Sequence, residues 1–153
     1  MNFLEDLAEI CGDGEKPVLR VVEQSPPPPP QASPAMKEWE RCKPWIEAAL
    51  EGGFYGIGYI EGLLNRPHNP GQFWPGKNAA IVTEVQDHGD HRVLFCWAAG
   101  GDMEEVLAMA SGIEAVGRLL GCQYAMSEGR GGWARVMKKH GYEPYSVTIR
   151  KAL

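Results

Sequence analysis

The run Glu128-Gly129-Arg130-Gly131-Gly132 combines the two things an anion site needs. Glycines let successive amides turn toward one point, and an arginine fork matches a carboxylate or a phosphate. The competing reading is a tight turn whose Arg130 pairs with Glu128 or Asp102. A second polar run, Asp87-His88-Gly89-Asp90-His91, has the residue types of metal ligands. Its members are neighbours in a tight turn, where side chains diverge, so no metal site is expected. Cys11, Cys42, Cys96 and Cys122 stand far apart with no CxxC pair. That spacing suits reduced thiols better than zinc, although it also permits two disulfides. Among the tryptophans, Trp39, Trp45, Trp97 and Trp133 read as core or lid residues. Trp74 lies in a Pro/Gly-rich stretch and is the one expected to reach a partner or ligand.

These groups need elements to hold them. Trp39 to Leu50 reads as a helix closed by Gly52-Gly53, with Pro44 near a first turn. Ile57 to Leu64 reads as a second short helix, and Asn65 to Gly76 as loop with a short strand at Phe73-Trp74. Ala79 to Gln86 and Arg92 to Ala98 are strands joined by the Asp87–His91 turn. Both are apolar on two faces, so they belong in the middle of a covered sheet. Asp102 fits an N-cap and Glu105 the reciprocal position of a capping box. The helix that follows carries Met103, Val106, Leu107, Ala110, Ile113 and Leu120 at helical spacing and stops at Gly121. Cys122 to Met126 is a strand and Gly132 to His140 a helix. Tyr145, Val147, Ile149, Lys151 and Leu153 alternate with Ser146, Thr148, Arg150 and Ala152, the pattern of a half-exposed final strand.

Length and composition set the frame. The chain has 153 residues, 44% hydrophobic and 23% charged, which suits one globular domain with its own core. No run reaches the ~18 apolar residues of a membrane span. Acidic Glu5, Asp6 and Glu9 stand where an export signal would carry lysines. A net charge of −5 argues against nucleic-acid binding. Residues 128–151 are locally basic through Arg130, Arg135, Lys138, Lys139, Arg150 and Lys151, which suits a solvated face or an acidic partner. Residues 1–35 form a separate arm. Phe3, Leu4, Leu7, Ala8, Ile10 and Cys11 follow helical spacing, and Pro26 to Pro30 set a stiff polyproline spacer. A helix this short needs a surface to pack on, either its own domain or a partner reached through Phe3, Leu4, Leu7 and Ile10. Residues 36–153 form the compact domain.

The C-terminal wording is more specific. The phrases are Trp97-Ala98-Ala99-Gly100-Gly101-Asp102, Ile113-Glu114, Leu120-Gly121-Cys122, Gly129-Arg130-Gly131-Gly132-Trp133-Ala134-Arg135 and His140-Gly141-Tyr142. With the order of elements, they resemble the GCN5-related N-acetyltransferases, in particular small acetyltransferase-like proteins of tailed bacteriophages. The resemblance covers about Trp39 to Leu153. It implies an α+β, three-layer fold with a mixed central sheet flanked by helices, preceded here by the arm. It implies acetyl-CoA as cofactor, with its pyrophosphate at Ala99, Gly100 and Gly101, where bare amides open a helix. Arg130, Gly131 and Gly132 would be further cofactor contacts, Glu84 a general base through water, and Tyr142 a substitute proton donor. Tyr124 and Tyr145 are other possible donors. Glu84 reads equally as a carboxylate paired with a lysine or arginine.

Two departures matter. Asp102, Glu104 and Glu105 put three negative charges where phosphate would rest. Met137 stands where active relatives carry the tyrosine that protonates the leaving thiolate, and a thioether cannot donate a proton. The expectation is therefore a phage-associated protein of this fold with degenerate catalysis and no cofactor. It would be a structural or binding module, anchored to a phage structural protein through its arm. Neither nucleic acid nor membrane is an expected partner, and self-association is left open. The place would be the host cytoplasm during infection, or the virion. The alternative is an acetyl-CoA-dependent N-acetyltransferase acting on a host or phage protein or a small amine.

Overall fold

The computed structural model describes residues 33–153. The chain divides into two units, Met1–Gln31 and Ala32–Leu153, and the second carries all that follows. Helix α1 spans Pro34–Leu50. It starts earlier than the apolar spacing suggests because Ser33 caps it, accepting from the Met36 amide at 3.2 Å. Pro34 sits in its first turn, whereas Pro44 lies inside the helix and not at a start. Trp39, Cys42, Trp45 and Ile46 repeat on one face, and Cys42 and Ile46 are fully buried. Helix α2, Ile57–Leu64, adds Ile60 and Leu63 to the same layer.

Strands β1 (Gln72–Pro75), β2 (Ala79–His88), β3 (His91–Gly101) and β4 (Tyr124–Ser127) form one sheet in the order β1-β2-β3-β4. The first three are antiparallel, and β4 runs parallel to β3. The β2–β3 hairpin closes over Gly89-Asp90, with Gly89 at φ 61, where a side chain would be strained. Ala80, Val82 and Ala98 pack under α1 and α2. Ala79, Ile81 and Leu94 pack under Val106 and Ile113 of α3, Met103–Leu119. The two strands are thus buried on both faces, as their composition requires. Val82 pairs with Ala98 but Thr83 with Cys96, so Trp97 is an extra residue bulged out of β3.

After β4, helix α4 covers Gly131–Met137 and tightens into a 3-10 turn at Lys138–His140, ended by Gly141 at φ 84. The expected final strand is not formed: residues 143–153 make no ladder. Alternation dictates which side chains share a face, but a strand exists only where a neighbour takes up its amides and carbonyls. No described helix is long and apolar enough to cross a membrane.

Candidate functional site

The turn from β3 into α3 is built for internal packing. A methyl added at Gly100 would lie 2.7 Å from the Trp45 carbonyl carbon, so α1 runs directly against this backbone. Gly101, at φ 98, is pressed in the same way on Asn78 and Ala79. The absent side chains therefore admit the protein's own backbone. Asp102 caps α3 as expected, accepting from the Glu104 amide at 3.1 Å, while its own amide donates to the Asn78 carbonyl at 2.8 Å. The second half of the capping box is not made. Glu105 instead accepts from the amides of Lys77 at 2.5 Å and Asn78 at 2.9 Å, fastening the β1–β2 turn to α3. A diphosphate brought here would meet exposed Asp102 and Glu104 carboxylates and find one first-turn amide already taken.

The ladder between β3 and β4 stops at Cys96 and Ser127, while β3 continues to Gly101. The strands therefore part, and the space beneath them is bounded by α3 and α4. Trp133, from α4, packs into this layer against the Ile81–Leu94–Val106–Ile113 cluster, and a methyl added at Gly129 would press on its side chain at 3.1–3.3 Å. What remains is a cavity of about 40 Å³ lined by Ala99, Cys96, Ser127 and Trp133 among others. That admits about one water and is far below the ~300 Å³ of a small ligand pocket. The thioester arm of acetyl-CoA does not fit these residues as they stand. Burial pushes the Cys96 thiol up to about 11.

Glu84 lies on the opposite face of the sheet, beneath the bulge, and is only 6% exposed. It ion-pairs with Arg66, and accepts from the Gln86 amide and the Trp97 indole, each at 2.8 Å. Burial opposes its charge, but the hydrogen bonds from Gln86, Arg66 and Trp97 together hold the carboxyl below its ordinary range. Around it, Tyr55, Tyr59 and Phe95 surround the Trp97 ring at centroid distances of 4.9–5.0 Å. The result is an aromatic patch over a buried carboxylate whose charge Arg66 already balances. Tyr142 is elsewhere, under α3, where its hydroxyl donates to Glu114 at 2.7 Å. Burial and that carboxylate push its pKa well up. Tyr142 lines the cavity beneath β3 and β4, and Glu84 does not. The two residues named for catalysis are not brought together.

The other named residues separate too. Arg130 caps α4 by position and donates to the Glu51 carbonyl at 3.0 Å, not to Glu128 or Asp102. Gly131 and Gly132 are exposed with open space around them. Trp74 is no free probe: its indole N–H donates to Thr83 at 2.8 Å and its ring packs on the α3-side cluster. In the hairpin, Asp87 pairs with Arg92, His88 with Gln86 and His91 with Gln123, so their polar atoms point apart. Tyr124 and Tyr145 are largely exposed. Phe3, Leu4, Leu7 and Ile10 lie outside the described residues. Sequence reasoning missed Arg66, the grip of Glu105 on the β1–β2 turn and the wedge role of Trp133. Only the Tyr55/Tyr59 spacing, four apart on a helix entry, carried a readable signal for the aromatic patch.

No family model matches the chain, and no curated protein matches it. Solved structures do. The aminoglycoside N-acetyltransferase AAC(6')-Iy, in complex with CoA, aligns at TM-score 0.53 and 12% identity over 76% of this chain and 87% of its own. The BH1408 protein from Bacillus halodurans aligns at 0.54 and 8% over 76% and 93%. The chain spans 59% of a Trypanosoma brucei acetyltransferase, at TM-score 0.42, 13% identity and 50% of this chain. The shared feature is the fold: a mixed four-stranded sheet flanked by helices, in the acetyltransferase-like architecture that the sequence resemblance implied.

Proposed function

We propose that this chain uses an acetyltransferase-like architecture as a binding or structural module and not as a transferase. The observation that carries the reading is the filled wedge: Trp133 occupies the layer under the parting strands and leaves about 40 Å³. The acidic first turn of α3 supports it, as does Met137, a buried thioether where a proton donor would stand. On this reading the module belongs to a tailed-phage particle or its assembly in the host cytoplasm. Residues 1–35 anchor it, through Phe3, Leu4, Leu7 and Ile10, to a phage structural protein. Support for that anchoring is the apolar helical spacing ahead of the Pro26–Pro30 spacer.

A second reading, acetyl transfer to an amine, draws on Glu84 under its aromatic patch and on the CoA complex of AAC(6')-Iy. Thiol release separates the two. The full chain, acetyl-CoA and a panel of polyamines and lysine peptides should release free thiol no faster than buffer. Steady amine-dependent release overturns the proposal. Removing residues 1–31, which leaves Ser33 and helix α1 in place, should abolish co-purification with particles, and unchanged co-purification refutes the anchoring.

A further inference from the structure

We propose that Tyr55, Tyr59 and Trp97 of one copy hold the proline run Pro26–Pro30 of a second copy. The site is the aromatic patch on the α1–α2 side of the sheet. Tyr55 and Tyr59 are 44% and 43% exposed, and their rings lean together at 4.5 Å between centroids, inclined by 41°. Each also meets the Trp97 ring at 5.0 Å. The bulge in β3 brings Trp97 out, and its N–H stays tied to Glu84, which fixes the indole. Rings inclined to one another present ridges, not a flat wall. Gly56 and Gly58 flank the tyrosines, and a methyl added at either would meet nothing within 4 Å, so the ground beside the rings is bare. Aromatic ridges of this kind take proline-rich segments in polyproline II form. The pyrrolidine rings pack on the aromatic faces, and a segment ordered before it binds loses little entropy. Tyrosine hydroxyls add donors for carbonyls that no N–H of the run can pair with.

The sequence supplies the ligand. Pro26–Pro30 are consecutive prolines, and residues 24–33 carry no charge. The patch is matched to that, because Arg66 balances Glu84 at its base. Proline within a chain offers no amine to acetylate, so the run binds as a ligand and not as a substrate. Reach points to a second copy. Ser33 is held extended ahead of Pro34, at φ −60 and ψ 155, which leaves Gln31 and Ala32 to reverse the chain. Turned back there, the run would cover ~12 Å of α1, whose 17 residues extend ~25 Å. Tyr55 and Tyr59 enter only after α1 has ended at Leu50. Each copy carries one run and one patch, so a two-fold exchange closes at the dimer. The inference rests on the binding-module reading and names a partner for it. Thiol release tests that reading separately, so the failure of one is not the failure of the other.

The test is sedimentation equilibrium of the full chain from about 1 to 500 µM. One run-on-patch contact of ~300 µM, doubled across a two-fold at an effective concentration of a few mM, gives a dimer constant of ~20 µM. The variant Pro27→Gly/Pro28→Gly/Pro29→Gly removes the rod, and Tyr55→Ala/Tyr59→Ala removes the patch. Each alone should associate at least about 50-fold more weakly than wild type. The decisive arm mixes the two variants. One then supplies patches and the other runs, so the mixture regains a single contact, roughly 15-fold weaker than the wild-type dimer and tighter than either variant alone. The glycine variant alters no described residue, so it should keep the wild-type circular dichroism, and it decides even where the tyrosine variant fails to fold. A wild type that stays monomeric to the highest concentration overturns the proposal. So does a dimer indifferent to the glycines, or a mixture of folded variants that associates no better than its parts.

Discussion

Replacing Gly100 by alanine puts the packing account of the β3–α3 turn at risk. The new methyl would lie 2.7 Å from the Trp45 carbonyl carbon and 3.2 Å from its Cβ. Carbon atoms settle at ~3.5–4.0 Å, so strand and helix must separate by about 1 Å. The obstacle is helix backbone, which cannot swing aside as a flexible side chain can. Neighbouring Cys42 and Ile46 are fully buried, so moving α1 disturbs the whole layer. Overpacking of this kind costs roughly 1–3 kcal/mol, and a rigid obstacle puts this site near 3. For a domain of this size that lowers Tm by about 10 °C. Urea and thermal unfolding followed by circular dichroism measure it, with Gly112→Ala as control. Gly112 is an exposed α3 position with open space around it, and alanine there should add up to ~1 kcal/mol. If Gly100→Ala unfolds within about 0.5 kcal/mol of wild type, the glycine is not there for α1, and the reasoning fails.

Glu84→Gln tests the buried ion pair. The folded carboxyl sits below its ordinary range, so its contribution is present above the unfolded pKa and is lost as pH falls through the folded one. The variant should therefore be less stable at neutral pH and show a flatter acid limb in pH-dependent melts; a parallel limb would contradict the pairing. Asp102→Ala should cost about 1 kcal/mol through loss of the α3 cap, read by urea unfolding. A thiol reagent at pH 8 should modify Cys122 before Cys42 and Cys96. Cys42 is fully buried, and the Cys96 thiol is pushed up to about 11. Mass mapping of the labelled peptides decides the order.

What the sequence made legible was mostly what depends on near neighbours. The two-faced apolar runs of β2 and β3, the Gly89 turn and the Asp102 cap are local signals with local causes. The boundary of α1 was missed because Ser33 and Pro34 define its start outside the apolar repeat. Long-range partners were not readable. Glu105 looks like half of a capping box until the β1–β2 turn arrives beside it. Glu84 could be assigned to catalysis or to a basic partner, and only the fold brings Arg66, 18 residues away, onto it. Gly100 and Gly101 suit either a phosphate or a close backbone, and the choice depends on where α1 lies. The last segment has strand spacing without a strand, because pairing is a property of two segments and not of one.

Calorimetric titration of the full chain with acetyl-CoA bears on the central claim most directly. With the wedge occupied and acids at the helix start, no saturable heat should appear up to about 1 mM ligand, leaving any binding weaker than ~4 kcal/mol. A micromolar dissociation constant with one site per chain would contradict the account, because it requires Trp133 to yield and the turn at Asp102 to accept a diphosphate.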